Sequence, residues 1–241
     1  MSIRVAAVVF VVVLAAACTG AGERAPPPAD TSASAQPLPP AGVSLGLPPA
    51  QRSPAAPQPA VARISIAGYP TLGAAEAPVT IVEFMDYECP YCQGWAQDTL
   101  PQLQRQYVDT GKVRYVARDF PLPRHPRARP AAIAAACAGE QGRYWEMHEA
   151  LFAAAGQLRD ADFTAHARHL GLDQAQFDAC RSDPRHAVRL DRAFAEARTL
   201  GVAGTPTLLI GASAGELAQG RLVTAPDFAA LEELLAHYLG R

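Results

Sequence analysis

Residues Glu83 to Cys92 read Glu-Phe-Met-Asp-Tyr-Glu-Cys-Pro-Tyr-Cys, and this stretch restricts the fold more than any other. The apolar run from Val79 to Met85 predicts a buried strand. An acidic turn follows, then Cys89-Pro90-Tyr91-Cys92, after which Trp95, Leu100, Leu103 and Tyr107 recur at roughly helical spacing. A Cys-X-X-Cys pair between a strand and a helix is the sequence form of a dithiol redox site. Cys89 falls at the helix N-cap and Pro90 at the first helical position, where a missing N–H costs nothing. The Cys89 sulfur then faces unpaired N–H groups and the positive end of the helix dipole, which favour a thiolate. Cys92 lies three residues on, on the same helical face, placed to attack a mixed disulfide held on Cys89. Two plainer readings compete: half of a zinc site, and a structural disulfide inside a turn. The zinc reading lacks a second close Cys or His pair, because Cys137 and Cys180 stand alone.

A second, distant stretch bears on the same chemistry. In Gly201-Val202-Ala203-Gly204-Thr205-Pro206-Thr207-Leu208-Leu209-Ile210, a glycine-rich turn ends at Thr-Pro and enters a short apolar strand. Proline is tolerated at the first residue of a strand, and an X–Pro bond is the common place for a cis peptide. Together the two stretches resemble the thioredoxin superfamily, and within it the DsbA-like thiol–disulfide oxidoreductases. The matching pieces are Ala77 to Phe84, Cys89-Pro90-Tyr91-Cys92, Cys137 to Gly142 and Gly204-Thr205-Pro206-Thr207. The resemblance covers about Ala62 to the C-terminus. It implies an α/β thioredoxin fold with an all-helical insertion between the third strand and the cis-proline loop. It also implies roles: Cys89 as exposed nucleophile, Cys92 as resolving thiol, Pro206 as the cis-proline preceded by Thr205. An acidic residue at the position of Glu83 lies, in that family, under the active site and assists proton transfer from the buried thiol. The other readings of Glu83 are a solvated strand glutamate and a partner of Arg114 or Arg118 on the next strand.

The rest of the chain gives the setting. Arg4 followed by an apolar stretch from Val5 to Ala17 reads as a signal peptide, too short for a membrane span of about 20 residues. Leu14-Ala15-Ala16-Ala17-Cys18 resembles a bacterial lipoprotein signal, although the leucine is four rather than three positions before the cysteine. On that reading residues 1–18 are a leader ending at Cys18, which would be acylated; ordinary cleavage nearby is the other reading. Setting Cys18 aside leaves four cysteines, an even number, as an exported protein prefers. Residues 19–62 form a Pro/Ala/Ser/Gln tract without apolar periodicity, expected to be a disordered linker. Residues 63–241 are the expected folded domain.

Within it, Ile64 and Ile66 suggest an edge strand, Gly68 to Ala77 a loop, and Val113 to Phe120 a further strand. The helix opened by the dithiol runs to about Tyr107, with Pro101 expected to kink it. Residues from about 126 to 200 then read as a helical block, with Asp160 and Asp173 as candidate caps and Pro184 opening the last helix. That block carries Cys137 and Cys180, which in an oxidising compartment read as a structural disulfide; two free thiols or a second redox pair are the alternatives. Of the six histidines, His166 and His169 lie one turn apart with no Cys or acidic cluster to complete a metal site. His125 sits in a loop that could approach the dithiol. A strand from Thr207 to Ile210, a hairpin partner from Leu217 to Leu222, and a helix from Pro226 to Leu239 complete the reading.

A net charge of −2 and a pI near 6.3 show no nucleic-acid or anionic-membrane footprint. The expected protein is an exported, lipid-anchored monomer at the periplasmic or cell-surface face of a bacterial membrane, where it exchanges disulfides with exported cysteine-bearing proteins and needs no cofactor or metal. The family resemblance implies a quinone-linked membrane reoxidase, or a reductase, as partner. Asp86 and Glu88 next to Cys89 would oppose a thiolate, and Pro-Tyr is not the Pro-His of the family's best-known oxidases, so an intermediate potential and reductase or isomerase work stay open. The rival classes are a tethered non-enzymatic binding module with Cys89–Cys92 as a structural disulfide, and metal delivery through the dithiol.

Overall fold

The computed structural model describes residues 61–154 and 158–240. The leader, Cys18 and the linker up to residue 60 lie outside the described residues. Six strands form one sheet in the order β1-β6-β5-β3-β4-β2. They are β1 (Ala62–Ser65), β2 (Thr71–Leu72), β3 (Val79–Met85), β4 (Val113–Asp119), β5 (Thr207–Ala214) and β6 (Leu217–Thr224). Every pair is antiparallel except β3 with β4. The helices are α1 (Pro90–Gly94), α2 (Leu100–Leu103), α3 (Ala128–Glu140), α4 (Tyr144–Ala153), α5 (Asp160–His169), α6 (Gln174–Ser182), α7 (Pro184–Thr199) and α8 (Phe228–Tyr238).

The central strand β3 is buried along its whole length. Val79 and Ile81 pack on one face with Trp95, Leu103, Tyr115, Leu231 and Leu235. Val82 and Phe84 pack on the other with Val116, Ala197 and Leu209. Each fully buried side chain of this kind contributes about 1.5–3 kcal/mol, so a strand covered on both faces is strongly anchored. Gly211 and Gly220 permit the β5–β6 pairing, since a Cβ on either would lie 1.9–2.0 Å from a carbonyl oxygen of the facing strand.

Three expectations about local structure change. The loop from Gly68 to Ala77 contains β2, which pairs with Val116 and Tyr115 of β4. The helical insertion, α3 to α7, follows the Val113–Asp119 strand as expected, and the added β2 makes that strand the fourth in the chain. A two-residue strand carries no alternation by which a sequence could announce it. The helical stretch after the dithiol does not simply kink at Pro101: it widens into π-helical turns at Trp95–Thr99 and Gln104–Val108, before and after α2. Pro101 has no N–H to donate, and the Leu100 N–H already reaches back five residues to the Trp95 carbonyl. Asp160 does not cap α5; Asp162 does, its carboxylate accepting from the Arg159 N–H at 2.8 Å. Asp173 caps α6 by accepting from the Gln176 N–H at 2.9 Å.

Candidate active site

At the end of β3 the chain turns through Asp86, Tyr87 and Glu88 into Cys89, the N-cap of α1, with Pro90 at its first position. Asp86 builds this turn. Its Oδ1 accepts from the Glu88 N–H at 2.8 Å, its Oδ2 accepts from the Leu122 N–H at 2.7 Å, and His125 Nδ1 lies 2.8 Å from Oδ2. Glu88 reaches the other way, Oε2 accepting from the N–H groups of Arg127 and Ala128 at the start of α3. These acids keep their charge, but their oxygens face backbone donors, and other groups outweigh them, so that the Cys89 thiol is shifted down on balance. Asp86 is 1% exposed, so Asp86→Ala would strand the buried Leu122 N–H and release the turn. We expect it to cost about 2–3 kcal/mol, read as a lower urea midpoint at unchanged slope.

The two sulfurs are pushed in opposite directions. Cys89, expected to be exposed, is 1% exposed. Its sulfur lies 3.3 Å from the Thr205 carbonyl oxygen, to which it donates only while protonated, and the Thr205–Pro206 peptide beside it is cis. The Cys89 thiol is lowered to about 5, first by the hydrogen bond from the Cys92 side chain, against the opposing effect of burial. The backbone N–H groups of Cys92 and Tyr91 lower it further. Cys92 is 0% exposed, and its thiol is pushed far up, first by burial, then by the hydrogen bond it gives Cys89 and by the negative charges of Glu83 and Cys89. One sulfur is thus held as a thiolate and the other as a thiol. Tyr91, between them in sequence, stands 77% exposed and offers an aromatic face to whatever approaches.

Glu83 lies beneath the dithiol, 1% exposed. It pairs with neither Arg114 nor Arg118, because both project from the face of β4 opposite to Tyr115 and Ala117. Arg114 donates to Thr80 and the Gly215 carbonyl, and Arg118 to Ser65, Tyr69 and Glu196. The partner of Glu83 is Tyr115, whose hydroxyl donates to Oε2 and itself accepts from the Trp95 indole N–H at 3.1 Å. Burial raises the Glu83 carboxyl to about 8 against the pull of that hydrogen bond, with the Cys89 and Asp119 charges adding to the rise. Sequence reasoning overlooked Tyr115, although its place on the apolar face of a neighbouring strand was readable.

Cys137 on α3 and Cys180 on α6 are joined, S–S 2.08 Å. His186 Nε2 lies 3.0 Å from Cys180 Sγ, but with both sulfurs in the bond no thiolate is left there to ligate a metal. His166 is half-buried and His169 exposed on α5. His148 is buried among Tyr87, Trp145 and Phe152 and is held neutral, burial lowering it to about 3.

Comparison with known proteins agrees with this arrangement. The sequence model of the family described as Thioredoxin matches residues 67–220. A thioredoxin-like oxidoreductase from Silicibacter pomeroyi superposes with a TM-score of 0.60 at 31% identity, covering 72% of this chain and 93% of that one. Alpha-DsbA1 from Wolbachia pipientis shares the fold, with a TM-score of 0.64 at 20% identity, over 72% of this chain and 92% of that one. Among curated proteins, the Na(+)/H(+) antiporter NhaA 1 of Salinispora arenicola is 45% identical over 139 residues, which is 57% of this chain and 21% of that protein. The chain thus spans about a fifth of the length of the curated relatives it matches.

Proposed function

The chain belongs to the thioredoxin superfamily, and from that premise we propose that it is a DsbA-like thiol–disulfide oxidoreductase that exchanges disulfides with other exported proteins through Cys89 and Cys92. The observation that carries the reading is the Cys89–Cys92 pair at the N-terminus of α1 beside the cis Thr205–Pro206 loop, an arrangement that lowers the Cys89 thiol and raises the Cys92 thiol.

The cycle begins with the pair oxidised. A substrate thiolate attacks the Cys89 sulfur; the Cys89–Cys92 bond breaks, and its electron pair leaves on Cys92, which takes a proton from Glu83. The substrate's second thiolate then attacks its own sulfur in the mixed disulfide and displaces Cys89 as a thiolate. Two electrons pass from substrate to enzyme, and the substrate gains its disulfide. In the reverse sense Cys92 must lose its proton to attack, and Glu83 receives it. The cis Thr205–Pro206 loop, whose Thr205 carbonyl already meets the Cys89 thiol, is placed to hold the substrate backbone beside the reacting sulfur.

Stabilising the reduced state makes a couple more oxidising, so the lowered Cys89 thiol supports disulfide donation rather than reduction. Turnover then needs a membrane redox partner to take up the two electrons. The Cys137–Cys180 bridge fits an oxidising compartment. The lipoprotein-like run ending at Cys18 supports a membrane tether, with residues 19–62 as its linker. Among the described residues no helix is long and apolar enough to cross a membrane.

The test is the reduction potential, measured by equilibrating the purified protein in glutathione buffers and following Cys89 alkylation by mass. We expect a value well above that of thioredoxin, about −270 mV, and toward that of DsbA, about −120 mV. A value near −270 mV would reverse the direction of electron flow, and a dithiol that never titrates would make this a binding module.

A further inference from the structure

The cycle above uses one buried carboxyl group, yet β3 and β4 carry two on the same face. Their parallel register sets Glu83 opposite Ala117, so Tyr115 and Asp119 flank it on β4. Tyr115 closes one side of Glu83 through Oε2. The other oxygen, Oε1, is buried and has no hydrogen-bond partner among the described residues. Asp119 repeats the pattern: its Oδ1 is buried without a partner among the described residues, while the residue as a whole is half-buried. It lines a cavity of about 530 Å³ between the Gly68–Pro70 segment, α3 and α7. Alanines at 132, 136 and 193 keep that space open, and exposed Gly68, Glu140 and Arg189 line it at the surface. The volume is far more than a water molecule needs.

We propose that Asp119 is the outer station of the proton path serving Cys92, passing protons between Glu83 and water in this cavity. The proposal rests on the thiol–disulfide reading and supplies what it lacks, a way out for a proton from a thiol and a carboxyl that are both sealed from solvent. When Cys92 attacks a mixed disulfide on Cys89, its S–H bond breaks as the new S–S bond forms. The electron pair of the old bond leaves on the released thiolate. The proton goes to Glu83, then by way of a water to Asp119, and from there to the cavity.

The charges around Asp119 suit a relay. Burial raises its carboxyl to about 7, with Asp86 adding to the rise, while Arg189 of α7 and Arg118 of its own strand pull it down. Glu83 of β3, Tyr87 in the turn and Tyr144 of α4 interact with it from the other elements, and Glu140 and His186 stand on the cavity wall. Glu83 near 8 and Asp119 near 7 are close enough for a proton to pass in either direction at neutral pH.

The experiment mixes the reduced protein with Ellman's reagent in a stopped-flow instrument from pH 5 to 9. Cys89 releases the first thionitrobenzoate and Cys92 the second. In Asp119→Asn the first phase should be unchanged. The second should slow about tenfold near pH 6–7, and high concentrations of imidazole buffer should restore it. Glu83→Gln should slow the second phase as well, and adding Asp119→Asn to it should slow it no further. Ala136→Leu, which narrows the cavity without touching a carboxyl, should also slow the second phase and answers the question if Asp119→Asn fails to fold. A second phase with the wild-type pH profile in both Asp119→Asn and Ala136→Leu, or one slowed at every pH and indifferent to imidazole, would overturn the relay. A wild-type protein with no first phase would instead overturn the thiol–disulfide reading itself.

Discussion

At pH 6, Cys89 in the reduced protein should react with iodoacetamide roughly eight times faster than an equally accessible ordinary cysteine, and at pH 9 roughly thirty times slower. The crossover comes from two opposed effects. With its thiol near 5, about nine-tenths of Cys89 is thiolate at pH 6, whereas a thiol near 8.5 is about 0.3% ionised there. That is a gain of about 300-fold in reactive species. The lower-pKa sulfur is a poorer nucleophile, though, and with a Brønsted slope of about 0.45 it loses roughly 40-fold over the 3.5-unit gap. At pH 9 both are largely ionised, so only the loss remains. The same shift has a consequence for stability. A thiolate favoured in the folded state adds stability to the reduced form above the ordinary thiol range, and that increment disappears as pH falls through about 5. Mass-resolved alkylation across pH 4 to 9 measures the profile, with Cys89→Ser as the control that should show no labelling and no disulfide exchange. A midpoint near 8.5 would remove the basis for an oxidising couple.

How much of this was readable without coordinates differs from residue to residue. The strand from Val79 to Met85, the N-cap at Cys89 with Pro90 behind it, and the Thr205–Pro206 loop announce themselves locally, through apolar runs and residues with special backbone habits. The π-helical turns had a signal that averaging hid: Trp95 and Leu100 are five residues apart, a π spacing rather than an α one. The Asp86 and Glu88 carboxylates look repulsive toward Cys89 when the chain is read in one dimension. Their backbone partners arrive from Leu122, Arg127 and Ala128, more than thirty residues later, and no periodicity carries that information. The neighbours of Glu83 were hidden for a related reason. Arginine is the obvious partner by charge, but strand register sends Arg114 and Arg118 to the far face and leaves Tyr115 and Asp119 beside the carboxyl. Local chemistry was legible; the pairing of distant strands was not.

Removing the Cys137–Cys180 bridge should be the most destabilising change outside the dithiol. The bridge closes a loop with a sequence separation of 43, worth about 4 kcal/mol in the chain-entropy account. In a chain of this size that corresponds to a fall in Tm of roughly 8–16 °C. Besides the bridge, the Gln141 side chain at the end of α3 exchanges two exposed hydrogen bonds with the Asp173 backbone at the start of α6, and the apolar contact between the two helices is thin. The buried face of α3 is Cys137 and alanines, which offer few methylene groups to bury, and α6 contributes only Phe177 and Cys180. The loss should reach the redox site, because α4 packs in the same core and its Phe152 carbonyl accepts from Gln93 and Gln97 in the helical stretch after Cys89. Calorimetry on Cys137→Ala/Cys180→Ala measures the first effect, and titration of the wild-type protein in glutathione buffers separates the two roles the pair could have. A large fall in Tm with one redox transition, belonging to Cys89 and Cys92, makes the bridge structural. A second transition within the glutathione range, with a Tm shift under about 2 °C, would make Cys137 and Cys180 a redox pair in their own right, with His186 beside Cys180 as the group that meets the freed thiol.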